Sequence, residues 1–149
     1  MNNVLKRILL VDDSPRDREL VKHTLAEHNL LNTIDEVTDG AEALDYLYRR
    51  GSYADRAEGY PVVVLLDLKM PKVDGLEVLR VVKSDPVLRL IPVVVMTSSR
   101  EEQDLIRSYE LGVNAYVVKP VEFQSFAEAV KQVGAFWALI NEPPPCIGR

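Results

Sequence analysis

Apolar runs with little internal periodicity alternate along this chain with segments whose apolar positions recur every three or four residues. Five such alternations predict strands joined by helices, the pattern of a parallel sheet wrapped on both faces. The strand-like runs are residues 7–11, 33–37, 62–66, 91–96 and 115–118. Residues 62–66 are all apolar, as expected of a central strand covered on both faces. Ser14-Pro15 opens the first helix, a cap residue followed by proline at the first helical position, and Asp17 completes a capping pattern. Leu20, Val21, Thr24, Leu25 and His28 recur at helical spacing and are expected to form its buried face. Thr38-Asp39-Gly40 leads into a helix through Arg50, and residues 51–61 read as a long loop of mixed charge. A third helix spans about residues 75–84 and stops at Asp85-Pro86. Ser99 and Glu102 form a capping box for a fourth helix through Leu111, which Gly112 is placed to stop. The last helix is expected over residues 123–140, and Pro143-Pro144-Pro145 then begins a loose tail. The expected organisation is therefore one domain over residues 1–140 and a flexible Pro-rich tail over 141–149.

Four of the runs end in a polar residue of chemical interest. The first runs into Asp12 and Asp13, the third into Asp67, the fourth into Thr97, and the fifth into Lys119 with Pro120 behind it. If the runs are neighbouring parallel strands, three carboxylates, a hydroxyl and an ammonium meet at one sheet edge. Ligands of open α/β sheets bind in the crevice at that edge. Clustered carboxylates repel one another and invite a divalent cation, and an oxygen-only donor set suits Mg²⁺. A carboxylate nucleophile with Mg²⁺, lysine and hydroxyl makes a phosphoryl-transfer centre, with Asp67 able to form an aspartyl-phosphate. Singly, Asp12 and Asp13 read better as a solvated strand end, Thr97 as a small residue before a helix and Lys119 as a solvated lysine. Joint placement on four strand ends carries the argument.

Composition adds exclusions. With 149 residues, 47% of them hydrophobic and 28% charged, the chain suits one soluble domain. A net charge of −5 argues against direct nucleic-acid binding, which uses clustered Lys and Arg. No apolar stretch approaches the roughly 20 residues that span a bilayer, and residues 1–7 lack a secretion signal. Cys146 is the single cysteine, so no internal disulfide forms, and a cytoplasmic location fits. His23 and His28 lie five apart and share no helix face, so neither is assigned chemistry.

Leu-Val-Asp-Asp at 10–13, Leu-Leu-Asp-Leu-Lys-Met-Pro-Lys-Val-Asp-Gly at 65–75, Val-Val-Val-Met-Thr-Ser-Ser at 93–99 and Gly-Val-Asn-Ala-Tyr-Val-Val-Lys-Pro at 112–120 stand in order. Together they resemble the receiver domain of bacterial two-component response regulators, over about residues 5–138. The resemblance implies a doubly wound α/β fold, a five-stranded parallel sheet with five helices and strand order 2-1-3-4-5. It also implies that Asp67 takes a phosphoryl group from a histidine kinase. Mg²⁺ would be held by Asp13, Asp67 and the backbone carbonyl of Lys69, with Asp12 mainly through water. Lys119 would pair with the phosphoryl group and Thr97 would hydrogen-bond to it. Tyr116 matches the family's switch aromatic, Lys69 and Ser99 would flank the phosphoryl group, and Lys119-Pro120 matches the family's cis peptide.

A narrower resemblance, to single-domain regulators that accompany cyanobacterial and bacterial phytochromes, rests on the loop at residues 51–55, Lys83-Ser84-Asp85-Pro86 and Phe136-Trp137. It implies a phytochrome-type kinase as donor and a homodimer. On a continued last helix Phe126, Val130, Val133, Trp137 and Ile140 share one side, leaving Phe136 and Leu139 pointed away as expected interface residues. Three competing readings are a phosphohydrolase of the haloacid dehalogenase type, a flavodoxin and a phosphorylation-independent scaffold. The first wants an acid two residues after its nucleophile, where Lys69 stands. The second wants a phosphate cradle where Asp12 and Asp13 would repel the phosphate. The third leaves a complete set of acids, hydroxyl and lysine without use. The reading adopted is a non-enzymatic phosphorylation switch that signals through protein contacts.

Overall fold

The structure, a computed structural model, describes residues 7–28, 33–70, 72–98, 113 and 115–135. Strands β1 (Arg7–Val11), β2 (Thr33–Val37), β3 (Val63–Asp67), β4 (Val93–Thr97) and β5 (Tyr116–Val118) form one sheet in the order β2-β1-β3-β4-β5. All four pairings are parallel, with Val11 opposite Val37 and Leu66, Asp67 opposite Met96, and Thr97 opposite Val118. The register thus brings the ends of β1, β3, β4 and β5 to one edge. Four α-helices are found among the described residues: α1 (Pro15–Glu27), α2 (Gly40–Tyr48), α3 (Gly75–Ser84) and α4 (Phe123–Gln132). Doubly wound order and parallel sheet agree with the sequence reading. The helix expected between Glu102 and Leu111 lies outside the described residues.

Each face of the sheet carries its own apolar layer. Alternate strand residues Leu9, Val11, Val64, Leu66, Val93 and Val95 pack with Ala43, Leu47, Val78, Leu79 and Val82 of α2 and α3. Ile8, Leu10, Val63, Leu65, Val94 and Met96 face the other way, onto Val21 and Leu25 of α1 and Phe126, Ala129 and Val130 of α4. Strands buried on both faces have no polar side, which explains the unbroken apolar runs. Burying one such side chain fully contributes about 1.5–3 kcal/mol. This double layer sets the position of the polar edge.

Asp39 and Asp74 cap α2 and α3 by accepting the N–H groups of Glu42 and Glu77 at 2.8 and 2.9 Å. Glycine is needed twice nearby. A Cβ at Gly75 would lie 2.1 Å from the Asp67 carbonyl oxygen, and one at Gly40 would lie 1.9 Å from that of Val73. The close approach of α3 to the end of β3 therefore depends on Gly75.

Four expectations need correction. On α1, Leu20 is 41% exposed, while Val21 and Leu25 supply the buried stripe. His28 stacks on the Phe123 ring, centroids 3.7 Å apart, at the exposed end of the helix, so it is no part of the buried face. Helix α2 stops at Tyr48, because Arg49 takes a left-handed conformation at φ 53° and closes the helix before Arg50. The last helix stops at Gln132 and does not run on to residue 140. Gly134, at φ 79°, donates its N–H to Lys131 and Ala135 donates to Val130, a Schellman closure that terminates the helix. Phe136, Trp137, Leu139 and Ile140 lie outside the described residues, as do Ser99, Cys146 and the expected tail.

Candidate functional site

Asp12 follows β1, where its N–H continues the ladder to the Val37 carbonyl at 3.2 Å. Its side chain is fully buried, and Oδ1 accepts the Ser14 N–H at 3.0 Å. The backbone carbonyl of Asp12 accepts from Arg18 Nη1 at 2.8 Å, so α1 grips both ends of this residue. Asp13, next along, is exposed. Asp67 is the last residue of β3 and is 6% exposed. One carboxylate oxygen from each of Asp12, Asp13 and Asp67 lies within 4.8 Å of the others. The register of adjacent β1 and β3 produces that convergence.

Lys119 enters from the neighbouring strand end. Its N–H donates to the Thr97 carbonyl at 2.8 Å, and the Lys119-Pro120 peptide is cis, as expected. The ammonium lies 3.2 Å from Asp12 Oδ2, 3.2 Å from Asp67 Oδ1 and 3.1 Å from Asp17 Oδ2. Burial disfavours charge on both Asp67 and Lys119, but their balances differ. Burial pushes the Asp67 carboxyl up to about 6; Lys119 pulls it down, while Asp12 and Asp13 push it further up. For Lys119 burial acts downward, yet the surrounding carboxylates overcome it and hold the ammonium protonated well above its ordinary range. Among the described contacts, Lys119 alone faces the three carboxylates of Asp12, Asp17 and Asp67.

Among the described residues, two buried polar atoms here have no hydrogen bond: Asp12 Oδ2 and Thr97 Oγ1. Asp12 Oδ2 keeps its ion-pair contact with Lys119, out of hydrogen-bond alignment. Thr97 is 0% exposed at the end of β4. A buried hydroxyl without a partner is costly and marks a place where a ligand atom fits. The three carboxylates form an all-oxygen set that can hold a divalent cation, whose charge would relieve the repulsion at Asp67.

All five expected site residues at the strand ends are thus brought together. Lys69 is exposed in the segment after β3, and Tyr116 is half-buried on β5, packed against the apolar layer beside α2 and α3. The sequence reading missed Asp17 as a site residue. Ser14 does cap Asp17 N–H at 3.2 Å, but the Asp17 carboxylate turns to Lys119, while Ser14 N–H binds Asp12. The available signal was its position in the first turn of a helix that starts beside the acids.

The fold that carries this arrangement has counterparts among known proteins. The family described as response regulator receiver domain matches residues 8–131, and the chain belongs to it. Response regulator Rcp1 of Synechocystis sp. is 40% identical over 136 residues, covering 91% of each chain. The bacteriophytochrome response regulator AtBRR is 62% identical at a TM-score of 0.88, covering 93% of this chain and 99% of its own. The phosphorylated cyanobacterial phytochrome response regulator RcpA is 39% identical at 0.71, covering 97% and 99%. Rcp1 has also been solved in a Mn²⁺-bound form, 38% identical at 0.71, covering 96% and 99%. The chain is a receiver-domain response regulator homologous to phytochrome response regulators, and membership implies a histidine kinase partner.

Proposed function

We propose that the chain is a stand-alone switch phosphorylated on Asp67 by a phytochrome-type histidine kinase. The observation that carries this is the joint geometry at Asp67: two further carboxylates within 4.8 Å and the Lys119 ammonium at 3.2 Å. A deprotonated Asp67 oxygen attacks the phosphorus of a kinase phosphohistidine. The P–O bond forms as the P–N bond breaks, and the imidazole nitrogen leaves with the electron pair. Lys119 follows the developing charge on the phosphoryl oxygens, and Thr97 supplies its unused hydroxyl as a hydrogen-bond donor. Asp12, Asp13, Asp67 and the Lys69 carbonyl are the candidate ligands for Mg²⁺, which when bound neutralises charge on the transferring group. Movement of Thr97 toward the phosphoryl group frees space for Tyr116 to turn inward, the conformational part of the switch.

The phytochrome assignment is supported by the names of AtBRR and RcpA, each described as a phytochrome response regulator. The chain has no reaction of its own beyond gaining and losing this phosphoryl group. It works in the cytoplasm, without direct contact to nucleic acid or membrane; among the described residues no helix is long and apolar enough to cross a bilayer. Residues 1–140 form the receiver, with 141–149 as a tail. Two copies associate through a two-fold interface that includes Phe136 and Leu139, as the likeness to phytochrome-associated regulators implies; both residues lie outside the described ones.

Phosphotransfer profiling against the histidine kinases of the source organism, including any phytochrome, tests the core of this reading. Wild type becomes labelled, and the label is lost in alkali or hydroxylamine, as an acyl phosphate is. Asp67→Asn, which keeps the shape and removes the nucleophile, takes no label. A folded Asp67→Asn protein labelled at the wild-type rate rules the assignment out. For the dimer, sedimentation of wild type shows a two-fold assembly that Phe136→Asp breaks; a wild type that stays monomeric at high concentration, phosphorylated or not, removes it.

A further inference from the structure

Asp17 stands outside the acid triad yet touches the same lysine, and its carboxylate is 33% exposed on the first turn of α1. The Lys119–Asp17 contact, at 3.1 Å, meets hydrogen-bond geometry, whereas Asp12 Oδ2 lies at 3.2 Å without alignment. An ammonium has three N–H donors, and this one faces three carboxylates on three different elements. Asp12 is fixed at the end of β1 by the Ser14 N–H, and Asp17 is fixed on α1 by the Ser14 Oγ cap. We infer that Asp17 is a positioning residue for Lys119: its hydrogen bond anchors the ammonium, with the Asp12 charge beside it, and holds the ammonium 3.2 Å from Asp67 Oδ1. The inference rests on the proposed phosphorylation of Asp67 and extends it, because a phosphoryl oxygen arriving there meets an ammonium already in place.

The argument follows from the lysine side chain. Four flexible methylenes let an ammonium choose among several directions, and a point charge has no preferred fork. A second anchor on a separate element removes that choice before the donor arrives, and pre-set orientation is a direct source of rate. Asp17 touches no reacting atom. Its effect passes through Lys119 alone.

A competing role is purely helical, since an acid in the first turn favours the positive end of a helix. The two are separated with full-length protein, Mg²⁺ and acetyl phosphate as the phosphoryl donor, reading the initial rate of acyl-phosphate formation. Asp17→Ala is expected to lower the rate at saturating donor by about tenfold while leaving half-saturation within about twofold. Asp17→Asn, which keeps an acceptor in place, recovers part of the loss. The double variant Arg16→Asp with Asp17→Ala returns the acid to the first turn away from Lys119 and recovers none. An Asp17→Ala rate equal to wild type, or full recovery by the relocated acid, overturns the inference. Melting curves verify folding; if Asp17→Ala does not fold, the isosteric Asp17→Asn carries the comparison, and a rate equal to wild type then overturns it. Wild type labelled at Asp67 by neither acetyl phosphate nor a kinase removes the phosphorylation reading itself. Normal wild-type labelling with an indifferent Asp17 removes the positioning role alone.

Discussion

Near the start of β1 and at the end of β3 a carboxylate lies beside a cation, and the neighbourhoods differ in how many anions share it. Asp35 of β2 accepts Arg7 Nε at 2.7 Å, a second prong from Arg7 Nη2, and the Tyr46 hydroxyl. The Arg56 guanidinium lies 4.4 Å from the Tyr46 ring centre and also helps neutralise the cluster. Burial raises the Asp35 carboxyl, but the Arg7 and Tyr46 hydrogen bonds outweigh it and hold it below its ordinary value. At Asp67 one lysine serves three carboxylates, and burial with the neighbouring acids pushes its carboxyl up to about 6. In one cluster the carboxylate is fully paired as folded, although Arg56 Nη2 keeps no hydrogen-bond partner; in the other the carboxylates outnumber the Lys119 ammonium they share. The difference separates a structural ion network from a functional one, although both are partly buried carboxylate–cation contacts.

The largest expected contrast concerns metal. Excess EDTA is expected to abolish phosphotransfer to Asp67, since the acids then repel an anionic donor, while circular dichroism stays native. Adding Mg²⁺ at about 100 times its dissociation constant stabilises the fold by about 2.7 kcal/mol through linkage, because only the folded chain assembles the three carboxylates. Asp13→Asn and Asp67→Asn each weaken that gain, whereas Asp35→Asn leaves it intact. Transfer that proceeds undiminished in EDTA, or equal Mg²⁺ stabilisation in all four proteins, breaks the distinction between the clusters.

The two clusters also differ in how legible they were. The end of β3 could be read from sequence because each site residue follows or closes an apolar run, and a parallel sheet aligns such ends. The parallel sheet and the Ser14 cap follow similar local rules, whereas only the family likeness gave the strand order. The Arg7–Asp35–Tyr46–Arg56 cluster escaped notice, since its members come from β1, β2, α2 and the loop after it, with no shared spacing. Asp17 escaped for a related reason: a capping pattern accounted for it locally, and its partner Lys119 is 102 positions away. The end of α4 was misjudged because Phe126, Val130 and Val133 continue smoothly into Trp137 at helical period. Gly134 overrides that period by admitting a left-handed backbone, and its C-terminal role competes with apolar spacing at the same residues.

One substitution chemistry, Asp to Asn, is expected to change stability in opposite directions at the two clusters. In EDTA at pH 8, Asp67→Asn removes an ionised carboxylate from an anionic site and raises stability by about 1 kcal/mol. Asp35→Asn removes the charge that Arg7 and Tyr46 were arranged around and lowers stability by about 1–2 kcal/mol, discounted for the partial exposure of the pair. The pH dependence follows from the directions of the shifts. The folded Asp67 holds its proton up to about 6 against an ordinary 3.8, so its ionisation costs the fold progressively as pH rises across that window. The gain from Asp67→Asn is therefore smaller at pH 5 than at pH 8, by about 1 kcal/mol. The folded Asp35 ionises below 3.8, so its contribution is fully present above that value and is lost only as pH falls through the folded value. The deficit of Asp35→Asn accordingly stays level between pH 5 and pH 8. Urea melts of the three proteins at both pH values measure all four differences. A gain from Asp67→Asn that does not grow with pH, or a stability increase in Asp35→Asn, removes the electrostatic contrast between the two ends of the sheet.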